Sequence, residues 1–260
     1  MNYNLLTYIT WNVEPAILQI GNFKLLWYST MWATSIIVGY ALMRYLYRKS
    51  GFDQETVIDL VQYVFFGGVI GARLGDVLFY NLDFYMRDPI EILKVWHGGL
   101  ASHGGVIGVL IAIYLYSRSR KEVPLIKVLD LSAIVIPLLG AFIRIGNLFN
   151  SELYGKVTDV PWAFVFTKVD DYPRHPSQLY ETLMLTGVFA FMMYLFHKKK
   201  DLPDGFLLGV FFVLTFGLRA LLEFFKVEAS YTQLLSIPLV IGGLILIWLA
   251  QNRRLQGKSH

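Results

Sequence analysis

The sequence predicts an all-α polytopic membrane protein, a bundle of about seven transmembrane helices. Hydrophobic residues make up 55% of the 260 residues and charged residues only 16%, whereas ordinary soluble domains contain about 25% charged residues. The apolar residues run in long uncharged stretches, which leave too little polar material to cover the surface of a soluble domain of this size. A lipid bilayer is therefore the expected solvent for most of the chain.

Seven segments meet the requirement of about 20 mostly apolar residues for a membrane-spanning helix. They are residues 25–47, 56–79, 99–117, 125–148, 178–197, 205–224 and 232–251. Polar or turn-rich connectors separate them, and the sequence has no internal repeat. We therefore expect one integral membrane domain over residues 1–260, with an outer-side loop at about 149–177.

The distribution of Lys and Arg predicts the orientation, because basic connectors stay in the cytoplasm. Thirteen basic residues lie at one set of helix ends and seven at the opposite set. The thirteen are Arg44, Arg48, Lys49, Arg118, Arg120, Lys121, Lys127, Lys198, Lys199, Lys200, Arg253, Arg254 and Lys258. The N-terminus should therefore lie outside and the C-terminus in the cytoplasm. The same bias accounts for the net charge of +4, so this charge does not indicate nucleic acid binding.

Three arginines, Arg73, Arg144 and Arg219, fall inside predicted spans. A guanidinium in hydrocarbon costs at least about 2.5–3.5 kcal/mol on insertion scales, so such residues normally face a cavity and have a partner or a ligand. In the predicted orientation all three lie in the outer halves of their helices. Three polar residues on other helices lie at a similar depth: Tyr28, His103 and Glu181. We therefore expect a water-accessible polar cavity in the outer half of the bundle.

The first motif, RIGNLFNSELYG at residues 144–155, ends the fourth span and enters the long outer loop. Arg144 and Asn147 are three residues apart and share a helix face, and Gly146 lets a ligand or another segment approach the backbone. An Arg–Glu pair that holds the loop on the bundle is the alternative interpretation. The amides of Asn147 and Asn150 favour a binding site, since a pairing role alone does not require them.

The second motif, GGLASHGG at residues 98–105, opens the third span. A glycine-flanked imidazole at a helix start is accessible, and the ordinary pKa of histidine suits proton transfer near neutral pH. A hydrogen-bonded histidine beside a small-residue helix contact is the alternative. The nearby arginines favour a functional role for His103.

Two further motifs leave both interpretations open. In GARLGDVLFYN at residues 71–81, Arg73 and Asp76 are three apart and could neutralise each other. In RHPSQLYE at residues 174–181, Gln178 and Glu181 share a face and could either dock the loop or contact a substrate.

The sixth span and the start of the first span also allow either a structural or a functional interpretation. Arg219 and Glu223 are four residues apart and could form a self-contained salt bridge. Tyr28 could belong to an interfacial aromatic belt or to a site.

Several chemistries are excluded by residue content. The chain has no cysteine, so any thiol chemistry must involve a thiol of the substrate. HExxH, GxSxG and P-loop motifs are absent from the sequence, as is an Asp-rich metal cluster. We expect neither a metal nor an organic cofactor.

In their order along the chain, these motifs resemble those of the prolipoprotein diacylglyceryl transferase family, and the resemblance covers nearly the whole chain. The resemblance implies an enzyme of the bacterial cytoplasmic (inner) membrane with its active site toward the periplasm. It implies transfer of the diacylglyceryl group from phosphatidylglycerol to the lipobox cysteine thiol of a preprolipoprotein. A thioether forms and glycerol phosphate leaves, which is the first step of bacterial lipoprotein maturation.

The important positions of the family fall on residues of several motifs. They are Tyr28, His103, Arg144, Asn147, Glu152, Gly155, Arg219 and Glu223. Two positions depart from the family pattern, because Thr215 and Asp76 stand where some members have tyrosine.

The resemblance and the chemistry of these residues suggest roles. Arg144 and Arg219 would hold the phosphate, since a guanidinium donates two parallel hydrogen bonds to it, and His103 would be the general base. The remaining substrate-binding candidates are Asn147, Glu152, Gly155, Glu223, Arg73 and Glu181. An anion transporter and a non-catalytic scaffold are the competing classes. A transporter predicts access from both sides, whereas the polar residues here cluster on one side.

Overall fold

The computed structural model describes residues 8–199, 202–227 and 232–256, which are mostly helical. The α-helices in these residues are α1 (Trp27–Lys49), α2 (Val57–Phe79), α3 (Leu82–Arg87), α4 (Ser102–Ser119), α5 (Leu125–Phe149), α6 (Ser177–Lys198), α7 (Phe206–Leu222) and α8 (Thr232–Gln256). All but α3 coincide with predicted segments, with bounds that differ by a few residues. Lys200 and Lys258, used above to predict the orientation, lie outside the described residues.

Five helical segments in the described residues are long and apolar enough to cross a membrane. They are Gln54–Phe79, Leu125–Phe149, Ser177–Lys198, Phe206–Phe225 and Ser236–Gln256. The chain is therefore a multi-pass helical membrane protein. For α1 and α4, crossing of the bilayer stays a prediction.

The chain folds as two compact units. The large unit contains residues 1–41 and 130–260, and the small unit contains residues 42–129. Each unit has its own packing and its own set of the polar residues singled out by the sequence.

In the small unit, α2 and α4 pack through glycines. A Cβ atom on Gly71 would overlap the carbonyl oxygen of Gly104, and one on Gly108 would overlap the carbonyl oxygen of Gly67. Helices in lipid associate closely where small residues let the backbones approach, because apolar burial does not drive association there. The small-residue helix contact named in the alternative interpretation of His103 is therefore present.

The large unit contains strands that the sequence interpretation did not predict. Strand β1 (Ile9–Trp11) pairs in parallel with β4 (Phe164–Phe166), which pairs antiparallel with β5 (Pro173–Arg174). The buried side chains of Phe164 and Phe166 pack against Leu148 at the end of α5. This small sheet fixes the loop after α5 to the helix end.

The segment before α1 forms an antiparallel hairpin of β2 (Ala16–Ile20) and β3 (Phe23–Leu26). Gly21 has a φ of 57°, which the turn requires and glycine adopts without strain. Helix α1 follows directly, so the hairpin lies at its N-terminal end.

The start of α7 is capped by a side chain from α5. The buried carboxylate of Asp130 accepts hydrogen bonds from the backbone N–H groups of Gly205 and Leu208, both at 2.8 Å. These N–H groups have no partner within α7, so the carboxylate both satisfies them and favours the positive end of the helix dipole.

Candidate active site

Arg144 lies in the last turns of α5 and is bound by two side chains of the large unit. Its Nε is 2.5 Å from Oε2 of Glu181 on α6, and its Nη1 donates to Oδ1 of Asn147 at 3.2 Å. The side chain keeps 20% of its surface exposed. The spacing of three residues thus brings Arg144 and Asn147 together on one helix face, as predicted.

The polar turn after α5 continues from Asn147. The buried amide of Asn147 donates to Oε1 of Glu152 at 2.7 Å, and Asn150 donates to the same oxygen at 3.3 Å. Ser151 and Leu153 have φ values of 54° and 58°, which turn the chain sharply between these side chains. The turn therefore folds back on the helix end and presents Glu152, which is exposed.

The N-terminal turn of α6 holds this turn in place. Gln178, almost fully buried, donates from Nε2 to the carbonyl oxygen of Glu152 at 2.7 Å, and Ser177 donates to the carbonyl oxygen of Leu153 at 2.7 Å. Of the two roles left open for residues 174–181, Gln178 has the loop-docking role.

Glu181 connects Arg144 to a lysine that the sequence interpretation missed. Lys226 Nζ lies 2.6 Å from Oε1 of Glu181 and 3.5 Å from Oε2 of Glu223. Charges alternate along this group, from Arg144 through Glu181 and Lys226 to Glu223. The carboxylates are buried, with 5% and 3% of their side chains exposed, while the Lys226 side chain is 18% exposed.

In the sequence, Lys226 is one of the seven basic residues at the outer helix ends. Its position three residues after Glu223 was the available signal, because an i,i+3 pair faces one side of a helical turn. Residues 223–225 form such a turn at the end of α7.

Arg219 differs from the other arginines of the spans. It is partly buried near the end of α7, and among the described residues its guanidinium has no hydrogen-bond or ion-pair partner. The suggested pair with Glu223 is not formed, since Glu223 lies near Lys226 instead.

Two glycines of the first motif are sites of close approach. A Cβ atom on Gly146 would lie 2.9 Å from the ring of Tyr28, which places Tyr28 of α1 against the end of α5. A Cβ atom on Gly155 would lie 2.5 Å from the carbonyl oxygen of Phe225 and 2.6 Å from Cβ of His175. Gly155 thus allows the loop after α5 to contact the segment after α7.

The remaining polar residues of the fourth motif stabilise the same loop. Arg174 donates to both oxygens of Asp170 and stacks on the ring of Tyr154. The hydrogen bonds from Arg174 hold the pKa of the Asp170 carboxyl below its usual value. Burial against neighbouring side chains lowers the pKa of His175, so its imidazole is mostly neutral near neutral pH.

In the small unit, Arg73 binds backbone and does not pair with Asp76. The residue is 4% exposed. It donates to the carbonyl oxygens of Glu91, Ile92, Lys94, Gly98 and Gly99. Asp76 accepts hydrogen bonds from Asn81 at 3.1 Å and from Tyr85 at 2.9 Å. These contacts hold the connector before α4, so they favour a structural role for both residues.

His103 lies in the first turn of α4, also in the small unit. Its side chain is exposed and lines a cavity of about 400 Å³ together with Phe79, Tyr80 and Ile107. Among the described residues, its ring has no hydrogen-bond partner. The imidazole is therefore accessible to a ligand.

These features define a multi-pass helical membrane protein with a polar site built from arginine, carboxylate and amide side chains. The family model described as prolipoprotein diacylglyceryl transferase matches residues 15–249. The chain belongs to the prolipoprotein diacylglyceryl transferase family.

Curated relatives named phosphatidylglycerol–prolipoprotein diacylglyceryl transferase match along nearly their whole length. The relative from Tolumonas auensis is 42% identical over 253 residues, which cover 94% of this chain and 98% of the relative. The relative from Chloroherpeton thalassium is 44% identical over 252 residues, with 93% and 94% covered. The relative from Bacteroides fragilis strain YCH46 is 38% identical over 267 residues, with 94% and 96% covered.

Proposed function

We propose that this protein transfers the diacylglyceryl group of phosphatidylglycerol to the lipobox cysteine thiol of a preprolipoprotein signal peptide. The cysteine sulfur forms a bond to the glycerol carbon of the diacylglyceryl group, and the bond from that carbon to a phosphate oxygen breaks. The thiol proton passes to a base, and glycerol phosphate leaves with the bonding electron pair. Family membership and the names of the relatives support this reaction.

The arrangement of charges in the large unit is the structural observation that carries the proposal. The carboxylates of Glu181 and Glu223 are buried, whereas Arg144 is partly exposed and Arg219 has no partner in the described residues. The guanidinium groups of Arg144 and Arg219 can therefore bind an anionic headgroup, and the exposed carboxylate of Glu152 lies on the turn that follows Arg144. Guanidinium groups bind phosphate through paired, charge-assisted hydrogen bonds, and their benefit is greatest when the leaving phosphate gains charge.

The other residues take supporting roles in this proposal. Asn147 and Glu152 bind glycerol hydroxyls and orient Arg144, and Gly155 and Glu223 shape the same site. Glu181 fixes the Arg144 guanidinium. Tyr28 packs against Gly146 at the end of α5 and is proposed to contact the substrate through its hydroxyl.

His103 is the proposed general base, because the cysteine thiolate is the reactive nucleophile. Its exposed imidazole supports this role. Arg73 was predicted to bind substrate, but its contacts with backbone carbonyl oxygens support a role in holding the connector between α2 and α4.

The proposed topology has seven transmembrane helices in one integral domain of the bacterial inner membrane. The five apolar helices support a multi-pass protein, and α1 and α4 are proposed as the other two spans. The N-terminus lies outside, the C-terminus lies in the cytoplasm, and the active site faces the periplasm. The basic residues at one set of helix ends support this orientation.

The test is transfer of labelled diacylglyceryl from phosphatidylglycerol to a lipobox peptide by purified protein in detergent. We expect a thioether product with the parent, and no product when the peptide cysteine is replaced by serine. Arg144→Ala and His103→Ala should each abolish most of the transfer. Arg120→Ala, which removes an exposed ion pair with Asp59, is the matched control and should retain it. Absence of transfer by folded parent protein would contradict the proposal.

A further inference from the structure

We infer that Lys226 is a positioning residue that keeps the Arg144 guanidinium available for a phosphate group. It does so by holding one oxygen of Glu181, the buried carboxylate that would otherwise bind that guanidinium through both of its oxygens. The inference rests on the proposed function, because it assumes that Arg144 binds the lipid phosphate.

The position of Lys226 between the two carboxylates carries the argument. Its Nζ is 2.6 Å from Glu181 and 3.5 Å from Glu223. An ammonium group has three N–H donors and no acceptor, so one lysine can serve both carboxylates. Glu181 thus shares its two oxygens between Lys226 and Arg144, and the same lysine also lies near Glu223.

Removal of the ammonium would leave one oxygen of the buried Glu181 carboxylate without its cation. Glu181 already contacts Nε of Arg144 at 2.5 Å, and its freed oxygen would favour a second, parallel bond to the same guanidinium. Because an unsatisfied buried carboxylate oxygen is strongly disfavoured, Arg144 would be drawn away from a phosphate.

Backbone pairing explains how Lys226 reaches this position. The N–H of Lys156 donates to the carbonyl oxygen of Phe225 at 2.8 Å, and Gly155 forms an antiparallel bridge with Lys226. This pairing is possible because Gly155 has no Cβ, which would lie 2.5 Å from the Phe225 carbonyl oxygen. Gly155 therefore acts on Arg144 through Lys226 and Glu181.

Lys226→Met tests the inference, with Lys226→Arg as the conservative variant and Lys226→Met/Glu181→Gln as the compensated variant. The measurements are the Kd for phosphatidylglycerol in mixed micelles, with phosphatidylcholine as the reference lipid, and the kcat and KM of transfer. Lys168→Met is the matched control, because Lys168 lies in the same unit and pairs with Glu14 at 2.7 Å. Gel filtration checks that each variant is folded and monodisperse.

We expect Lys226→Met to weaken phosphatidylglycerol binding and raise KM by about tenfold, with a smaller change in kcat. Lys226→Arg should stay within about threefold of the parent because it keeps the charge between the carboxylates. The compensated variant should bind more tightly than Lys226→Met, since it removes the carboxylate that would capture Arg144. Lys168→Met should leave binding unchanged.

Unchanged binding by Lys226→Met would overturn the inference. Weak binding that the compensated variant does not improve would also overturn it, because that result indicates direct contact of Lys226 with the phosphate. A parent protein that does not prefer phosphatidylglycerol would overturn it as well. A parent that binds phosphatidylglycerol but does not transfer would contradict only the proposed function, and the binding series would still decide the role of Lys226.

Discussion

The arginine sites of the two units differ in what their guanidinium groups bind. Arg73 in the small unit is 4% exposed, and its hydrogen bonds to the described residues all go to backbone carbonyl oxygens. Arg144 in the large unit keeps 20% of its side chain exposed and is held by the side chains of Glu181 and Asn147. Both lie in helices apolar enough to cross a membrane.

The difference shows that an arginine within an apolar helix does not by itself mark a binding site. Carbonyl oxygens that surround a guanidinium fix a connector and leave few donors for a ligand. Side-chain partners on one edge hold the guanidinium in place and leave part of it accessible. The partners of the guanidinium therefore indicate function better than its position in the helix.

The largest difference between the two arginine sites is expected in the transfer activity of Arg144→Lys and Arg73→Lys. Lysine keeps the charge but loses the planar pair of donors, so we expect transfer to fall by about a hundredfold or more. Arg73→Lys should retain more transfer per folded molecule. Initial rates normalised to monodisperse protein measure both, and equal losses would contradict the distinction.

Arg73→Met should mainly reduce stability. It leaves several partly buried carbonyl oxygens without their donor, which costs about 1–3 kcal/mol in the free energy of unfolding. Thermal unfolding in detergent and protease cleavage within residues 82–99 measure the effect. Arg120→Met, which removes an exposed ion pair, should change stability by only about 0–1 kcal/mol. Equal melting temperatures for the two variants would argue against the anchoring role of Arg73.

A pair of asparagine variants repeats the comparison at smaller scale. Asn147→Ala removes the amide between Arg144 and Glu152, and we expect transfer to fall by about tenfold. Asn81→Ala removes hydrogen bonds to Asp76 and should cost about 1 kcal/mol of stability. Asn147→Ala should therefore lower mainly the rate of transfer, and Asn81→Ala should lower mainly the melting temperature.

The smallest effect is expected from the ion pair of Arg174 and Asp170 in the outer loop. Hydrogen bonds from Arg174 lower the pKa of Asp170 in the folded protein. The ionised Asp170 carboxylate therefore stabilises the folded protein above about pH 3.9, the pKa of aspartate in an unfolded chain. This contribution is lost as the pH falls through the lower pKa that Asp170 has in the folded protein. Melting temperatures of the parent should decrease more below about pH 4 than those of Asp170→Asn. Parallel pH profiles would show that the pair does not contribute.

The helices could be predicted closely from the sequence. The segment predicted at 56–79 is α2 (Val57–Phe79), and the one predicted at 125–148 is α5 (Leu125–Phe149). Long apolar stretches bounded by polar connectors give a strong signal because the bilayer allows few alternatives. The strands gave no such signal, since β1 and β4 are three residues each and pair across about 150 positions.

The side chains of the site were predicted better than their partners. The spacing of Arg144 and Asn147 was sufficient to place them together, because both lie on one helix. The pairing of Arg144 with Glu181 joins two helices that are distant in sequence, and the role of Lys226 depends on backbone pairing at Gly155. Such contacts depend on tertiary packing, which local spacing does not encode.

The parallel pairing of β1 with β4 has a consequence for the order of assembly. During synthesis, Ile9–Trp11 leaves the ribosome long before Phe164–Phe166 and must wait for it with its backbone groups unpaired. Lys226 arrives later still, so the charge group can close only after residue 226 has been synthesised. A nascent chain interrupted before that point should contain a polar, incomplete site.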